Sequence, residues 1–343
     1  MNLYEGLNRL IEFIFTVDYE VYGNGQGSLK SEVYEPAEAL TEVFSKNYAD
    51  LVFFIEVAEL EKMEESGSDP SFPLVLNQIR KMAESGYEVG LHVHPQWYGA
   101  QLVNRQWVLN YSEYNLCLLS EERITELVNR GLNYLRYLVG DNKFTPVAYR
   151  AGNWLMQPAE RIAQVLSRVG VKIDSSVFKG GFQHKLGLDY RKSPKHLYFW
   201  KFSRDVNRPE PEGLMTEFPV FSRQVPPWKL LNPKRRKLEN MDRISGLKDK
   251  LRTRLKDFLR LKVPQKFDFC RLDLNELCSF TEDIIKEDRK SPQDYKPIVL
   301  IGHTKDQPEP ELLDTFLKFL ADRGIKTTTF SRAWELIQRE PEK

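Results

Sequence analysis

Cysteine is scarce in this chain of 343 residues: there are three, Cys117, Cys270 and Cys278, an odd number with no CxxC pair. That supports neither a disulfide framework nor a thiolate zinc site. Long apolar runs are missing as well. Glu12 and Asp18 interrupt the best candidate, around residues 11–17, well short of the ~20 residues of a membrane span. The same stretch lacks the basic start and small-residue cleavage site of a secretory signal. A cytoplasmic protein is therefore the expectation. Neither sign of charge dominates, with 50 Lys+Arg against 49 Asp+Glu. At 41% apolar and 29% charged residues, the composition argues against disorder and suits a chain with ample core.

The balance hides one asymmetry. Residues 229–266 hold 14 Lys/Arg and 4 Asp/Glu, a net of +10, which leaves −9 for the remainder. Such a block reads as an insertion with its own task inside a single catalytic unit, 1–343. Within it, Leu247, Leu251, Leu255, Phe258 and Leu259 form an apolar stripe on a cationic helix. That helix can lie on an anionic membrane, each Lys or Arg contributing ~1 kcal/mol. It can equally pack its stripe on the domain and leave the charges in water. No DNA- or RNA-binding motif accompanies it, so no nucleic acid partner is expected.

Elsewhere the pattern alternates. Apolar, β-rich runs at 11–18, 51–56, 87–94, 146–150, 171–174, 214–218, 297–303 and 326–329 predict strands. Helical spacing at 36–47, 74–85, 120–138, 158–169, 274–286, 309–323 and 331–338 predicts the helices. This alternation argues for a parallel α/β sheet, open or closed into a barrel. Runs such as Ile298-Val-Leu-Ile301 suit strands buried on both faces.

Polar residues recur at the strand ends. Asp18 and Glu20 follow the first, Glu56 ends the second, and His92 and His94 end the third. Arg150, Asp174, Glu217 and His303 mark the next four. In parallel α/β folds these ends converge on one rim, where the chemistry is done. His92 and His94, at i and i+2 on a strand, point the same way and can reach one metal ion. Asp18 and Glu20 share that spacing. Two histidines with a carboxylate form the open site that catalytic zinc uses. Glu56 and Glu217 are read as acceptors of backbone N–H groups, His184 and His196 as surface residues, and Gly152 as a turn residue. On residue types alone, Arg150 is either functional or the structural ion-pair partner of Asp174.

In this order Thr16-Val-Asp-Tyr-Glu20, His92-Val-His-Pro95, Tyr149-Arg-Ala-Gly152, Asp174-Ser-Ser176 and Ile301-Gly-His303 resemble a known set of motifs. They are similar to the five motifs of the NodB-type polysaccharide deacetylases, carbohydrate esterase family four, and to a DxE/HxHP branch of that superfamily. The resemblance runs from residue 16 to residue 303. It implies a distorted parallel (β/α)7–8 barrel and one divalent metal, with zinc the expected ion. The implied reaction is hydrolysis of an N-acetyl or N-formyl amide on a sugar in surface polysaccharide or glycoconjugate biosynthesis. The substrate would be a nucleotide- or lipid-linked sugar or a glycan, with peripheral membrane contact through 229–266 as a matching expectation.

The family's usual first motif, TFDDG, has two adjacent acids, and Tyr19 takes the second position here. Either Glu20 replaces that acid as metal ligand with His92 and His94, leaving Asp18 as base, or Asp18 itself binds the metal. The first assignment is favoured. By resemblance, Arg150 orients the catalytic Asp, His303 is the general acid, and Asp174 orients His303. Trp154 is a candidate apolar wall for substrate, and Trp97 either stacks on a sugar or covers the core. Two competing readings share the scaffold: a metal-free hydrolase of a cyclic amide or ureide, and a non-catalytic glycan- or lipid-binding protein.

Overall fold

The computed structural model describes residues 10–23, 25, 27–230, 262–292 and 295–339. The apolar stripe from Leu247 to Leu259 lies outside the described residues. Strands and helices alternate along the chain: β1 (Leu10–Tyr19), α1 (Glu35–Lys46), β2 (Val52–Glu56), α2 (Val57–Ser66), α3 (Phe72–Glu84) and β3 (Glu88–Val93). Then come α4 (Glu121–Val139), β4 (Ala148–Ala151), α5 (Glu160–Arg168), β5 (Ile173–Asp174), β6 (Trp200–Phe202) and β7 (Met215–Glu217). The last part comprises α6 (Leu274–Lys290), β8 (Tyr295–His303), α7 (Pro310–Ala321), β9 (Lys326–Thr327) and α8 (Phe330–Arg339). Among the described residues, no helix is long and apolar enough to cross a membrane.

These strands form one nine-stranded sheet in the order β6-β7-β5-β4-β3-β2-β1-β8, with β9 beside the start of β1. All its pairings are parallel except β6 on β7. Strands covered on both faces have no solvent side to mark with polar residues. This explains why β8 is buried along its whole length and β1 from Phe13 to Tyr19. The helices carry ordinary start and stop signals. Ser120 caps α4 by accepting from Arg123 N, Gly140 ends it at φ 81°, and Asp273 with Glu276 forms a capping box on α6.

The sheet curls until its two sides meet through single backbone bonds. Val220 N donates to Val177 O at 2.8 Å and Phe221 N to Val299 O at 2.9 Å. The extended segment 263–268 completes the junction. It begins in an antiparallel ladder, Ser222–Val225 on Val263–Lys266, and continues beside β8. There Phe267 N bonds Phe221 O at 2.8 Å, Ile301 N bonds Phe267 O at 3.0 Å, and Phe269 N bonds Ile301 O at 3.0 Å. The result is a distorted barrel, as expected.

Two elements depart from the sequence pattern. Helix α2 starts on the last residue of β2, because the Glu56 side chain accepts from Glu59 N and caps it. Strand β6, an antiparallel edge strand, was not expected at all, since its three residues are too few to show a period.

Phe267 is fully buried where the barrel closes, with its ring 4.6 Å from Phe280, 5.7 Å from Phe13 and 6.1 Å from Phe316. Phe267→Ala is expected to cost about 3–5 kcal/mol of stability, read by urea denaturation. A loss below about 1 kcal/mol, the range of ordinary surface changes, would show that 263–268 is not part of the packed barrel.

Candidate active site

The carboxyl ends of β1, β3, β4 and β8 open into a cavity of about 180 Å³ lined by Asp18, Glu20, His92, His94, Tyr114, Asn153, Trp154, His303 and Lys305, among others. A larger groove at the amino-terminal ends of the strands is lined by Glu38, Glu42, Asp50 and neutral residues, with no imidazole or basic side chain. The smaller cavity, with its imidazoles and ammonium, is the candidate site.

Three donor atoms converge there. Glu20 Oε2 lies 3.0 Å from His94 Nε2 and 3.4 Å from His92 Nε2, and the two Nε2 atoms are 3.1 Å apart. Each ring is also held from behind. His92 Nδ1 donates to Arg150 O at 2.8 Å, and His94 Nδ1 sits 3.1 Å from the Gln96 amide. Gln96 Oε1 is buried without a donor. Exchanging the amide's O and N gives that oxygen the His94 Nδ1–H and turns both Nε2 lone pairs toward Glu20.

The electrostatics ask for one positive charge at the same point. Burial opposes a charge on His92, yet Asp18 and Glu20 push its pKa up to about 9. Burial also acts on His94 and pushes its pKa down. Glu20 would be raised by burial, but Lys305, whose Nζ is 2.6 Å from Oε1, and His94 hold it well below the carboxylate range. Two imidazoles and an ionised carboxylate around one vertex fit a divalent cation of the zinc type.

Beside this triangle, Arg150 is fully buried and hydrogen-bonded through all three guanidinium nitrogens. Nη1 donates to Asp18 Oδ1 at 2.6 Å, Nη2 to Thr16 Oγ1 at 2.9 Å and Ser175 Oγ at 3.2 Å, and Nε to Ser175 O at 2.9 Å. Burial alone would raise the pKa of Asp18, but Arg150 and the imidazoles of His92 and His303 outweigh it and hold it below the usual value. The second oxygen, Oδ2, faces His303 Nε2 at 3.5 Å and His92 Nε2 at 4.0 Å. Behind His303, Nδ1 lies 3.4 Å from Asp306 Oδ2, and Arg271 grips Asp306 with bonds of 2.7 and 3.1 Å.

No family model matches the sequence, and no curated protein does. Solved structures do match. A candidate polysaccharide deacetylase from Mycobacterium smegmatis is 15% identical, with a TM-score of 0.55 over 98% of this chain and 96% of that one. The chain has the polysaccharide deacetylase fold. A GH57 branching enzyme from Thermococcus kodakaraensis is also similar, at 13% identity and a TM-score of 0.52 over 98% of this chain and 72% of that one.

Within this deacetylase fold the expected residues separate into two groups. Asp18, Glu20, His92, His94, His303 and Trp154 line one cavity, with Arg150 directly beneath Asp18. Asp174 and Trp97 do not join them. The expected hydrogen bond from Asp174 to His303 is absent. Asp174 Oδ1 instead takes the Ser176 hydroxyl at 2.5 Å, and the residue pairs with Glu217 across β5 and β7. The structural pairing of Asp174 with Arg150 is absent too, since Asp18 holds that guanidinium. Trp97 is buried against Trp107, ring centres 5.2 Å apart, because Pro95–Trp97 makes a 3-10 turn that carries the indole into the core.

Gly152 is more than a turn residue: a Cβ there would sit 2.5 Å from Val93 O and 2.9 Å from the His94 ring. Glu56 and Glu217 accept backbone N–H groups as expected, from His94 and Glu59 and from Val177 respectively. Sequence reasoning missed Thr16, Gln96, Lys305, Arg271 and Asp306. Thr16 shares a strand face with Asp18, and Asp306 lies one turn beyond His303, so spacing alone offered a signal for those two.

Asp174 Oδ2 and Glu217 Oε2 are both buried without a donor, and burial raises the pKa of both carboxyls. One shared proton satisfies the pair. The folded form then keeps a proton that the unfolded chain sheds above pH ~4. Stability is full below that pH and is lost as pH rises through the raised folded values. Glu217→Gln is expected to flatten the fall in melting temperature as pH rises above ~4. A variant as pH-sensitive as the parent would sink the shared proton.

Proposed function

We propose that the protein is a metal-dependent hydrolase that removes an N-acetyl or N-formyl group from a sugar. The carrying observation is the triangle of Glu20 Oε2, His92 Nε2 and His94 Nε2, with every side at or below 3.4 Å. It stands beside an ionised Asp18 that has one oxygen free. These three residues would hold the metal, with zinc the expected ion, which would supply Lewis acidity to the acyl carbonyl and to the attacking water.

The remaining roles belong to the chain. With Oδ1 held by Arg150, Asp18 presents Oδ2 as the general base that takes a proton from the attacking water. The water oxygen bonds to the acyl carbon, the C–N bond breaks, and His303 protonates the departing amine. The products are a carboxylate and a free amino sugar. Asp306, fixed by Arg271, orients His303 in the role that the family resemblance gave to Asp174. Trp154 and Tyr114 offer aromatic faces to the sugar ring. The proposed setting is surface polysaccharide or glycoconjugate biosynthesis, on a nucleotide- or lipid-linked sugar or a glycan. A cytoplasmic site of action, with membrane contact through 229–266, belongs to the same proposal.

Metal analysis of the purified protein by ICP-MS is expected to find about one divalent ion per chain, lost in His92→Ala and in His94→Ala. A wild type that holds no metal after exposure to zinc would overturn the proposal. With the metal confirmed, Asp18→Asn should lower kcat for amine release from an N-acetylated sugar by about 10²–10⁴-fold. Asp306→Asn should move the limb of the kcat–pH profile set by the general acid, whereas Asp174→Asn should leave that limb in place. The opposite result would return the orienting role to Asp174.

A further inference from the structure

A cation sits beside the cavity without a counter-ion. In the closing segment, Phe267 turns its ring to the helices, stacking on Phe280 of α6 at 4.6 Å. In extended chain the residues on either side face the other way, into the barrel. Asp268 is one, and it is occupied: its Oδ1 accepts from Cys270 N and Arg271 N, both at 3.1 Å.

Lys266 is the other. Its ammonium has no carboxylate or hydrogen-bond acceptor among the described residues. It rests on two rings, 3.9 Å from the centre of Trp154 and 4.9 Å from that of Phe178. Rings stabilise a cation less than a desolvated carboxylate does. Consistently, burial draws the pKa of Lys266 down to about 8, although Asp268 and Asp18 act the other way.

A second group around the same indole is unsatisfied. Asn153 lines the cavity next to Trp154, and its Nδ2 is buried without an acceptor. The backbone there is held in an unfavourable region, with φ 57° at Asn153 and 65° at Trp154. The ammonium that lines the cavity, Lys305, is already neutralised by Glu20 at 2.6 Å. Trp154 thus brings together an ammonium without a counter-ion among the described residues, resting on its ring, and an amide donor without an acceptor on the residue before it. Lys266 is half-buried, and only the Asn153 amide is a buried donor, which costs stability unless a partner completes it.

We propose that the substrate is an anionic sugar, bearing a phosphoryl or carboxylate group that Lys266 and Asn153 bind beside Trp154. This deepens the reading of the cavity as a sugar deacylation site and rests on it. It makes Lys266 a specificity-determining residue.

The test is binding without turnover, by calorimetry on the full chain at pH 7. The probes are N-acetylglucosamine, N-acetylglucosamine 1-phosphate and an N-acetylated hexosaminuronic acid, which separates phosphoryl from carboxylate recognition. The expected result is that at least one anionic sugar binds roughly tenfold or more tightly than the neutral one. Lys266→Met should abolish the preference, and Lys266→Arg should retain most of it. Asn153→Asp keeps the side-chain shape and tolerates positive φ. It should weaken the anionic sugar and spare the neutral one, which keeps the test decisive if Lys266→Met fails to fold. A wild type that does not prefer either anion, or a preference that survives in both Lys266→Met and Asn153→Asp, would overturn the proposal. Retained anion preference with no amine release would instead count against deacylation alone.

Discussion

A guanidinium with no solvent exposure in the middle of a barrel must be paired and fully hydrogen-bonded, because an unpaired buried charge costs several kcal/mol. Arg150 meets that constraint with one carboxylate, Asp18, and three neutral oxygens from Thr16 and Ser175. The consequence is local and strong. Protonating Asp18 would strand the buried cation, so the carboxylate is kept ionised and aimed. The same residue's carbonyl takes the proton of His92 Nδ1, and two positions on, Gly152 lets β4 pack directly against His94. One short strand thereby fixes Asp18 and both imidazoles together.

The rim shows how one residue type is sorted into two kinds of group. Three pairs of acids are buried within the barrel end: Asp18 with Glu20, Glu56 with Glu59, and Asp174 with Glu217. Burial pushes all six toward the neutral form. Only the first pair has cations in contact, Arg150 and Lys305, and only that pair is held below the carboxylate range. The other two pairs are raised, with Glu56 pushed up to about 8. Their work is positional: Glu56 accepts His94 N at 2.7 Å and Glu59 accepts Val21 N at 2.8 Å, clamping the chain on either side of the donor triangle. Charged chemistry and neutral scaffolding use the same carboxyl group, separated by where the cations stand.

Much of this was legible in the sequence. The alternation of apolar runs and helical spacing placed the long strands and helices within a few residues, because strands buried on both faces leave an unbroken apolar signature. The paired spacings Asp18/Glu20 and His92/His94 alone put four polar side chains on one rim. Other features were illegible for physical reasons. Strand β6 and the closing segment 263–268 are short, and the latter joins the barrel through scattered bonds rather than a ladder. Trp97 was ambiguous because a single 3-10 turn decides whether its indole meets the cavity or the core. The setting of Asp174 was illegible because its spacing does not show whether its side chain meets the cavity or the Ser176 hydroxyl beside it. Asp306, three residues beyond His303, lies 3.4 Å from its Nδ1 and was equally unmarked by any motif.

The fold by itself leaves the chemistry open, since a deacetylase-like structure and a GH57 branching enzyme both share it with this chain at low identity. What narrows the choice is the donor set. A glycosidase needs two carboxyl groups flanking the scissile bond with separate acid and base roles. Here the two cavity carboxylates are both held ionised, and one is locked against two imidazoles, so neither is poised as the acid. In the proposed reading the acid is His303, whose Nε2 lies 3.5 Å from Asp18 Oδ2. An aspartate kept ionised by arginine, a histidine on the opposite side and a vertex that calls for a cation between them suit addition of water to a carbonyl better than departure of a sugar oxygen. The amide reading therefore rests on how charges are distributed over the rim, and the barrel's part is to hold those charges where water and substrate can reach them.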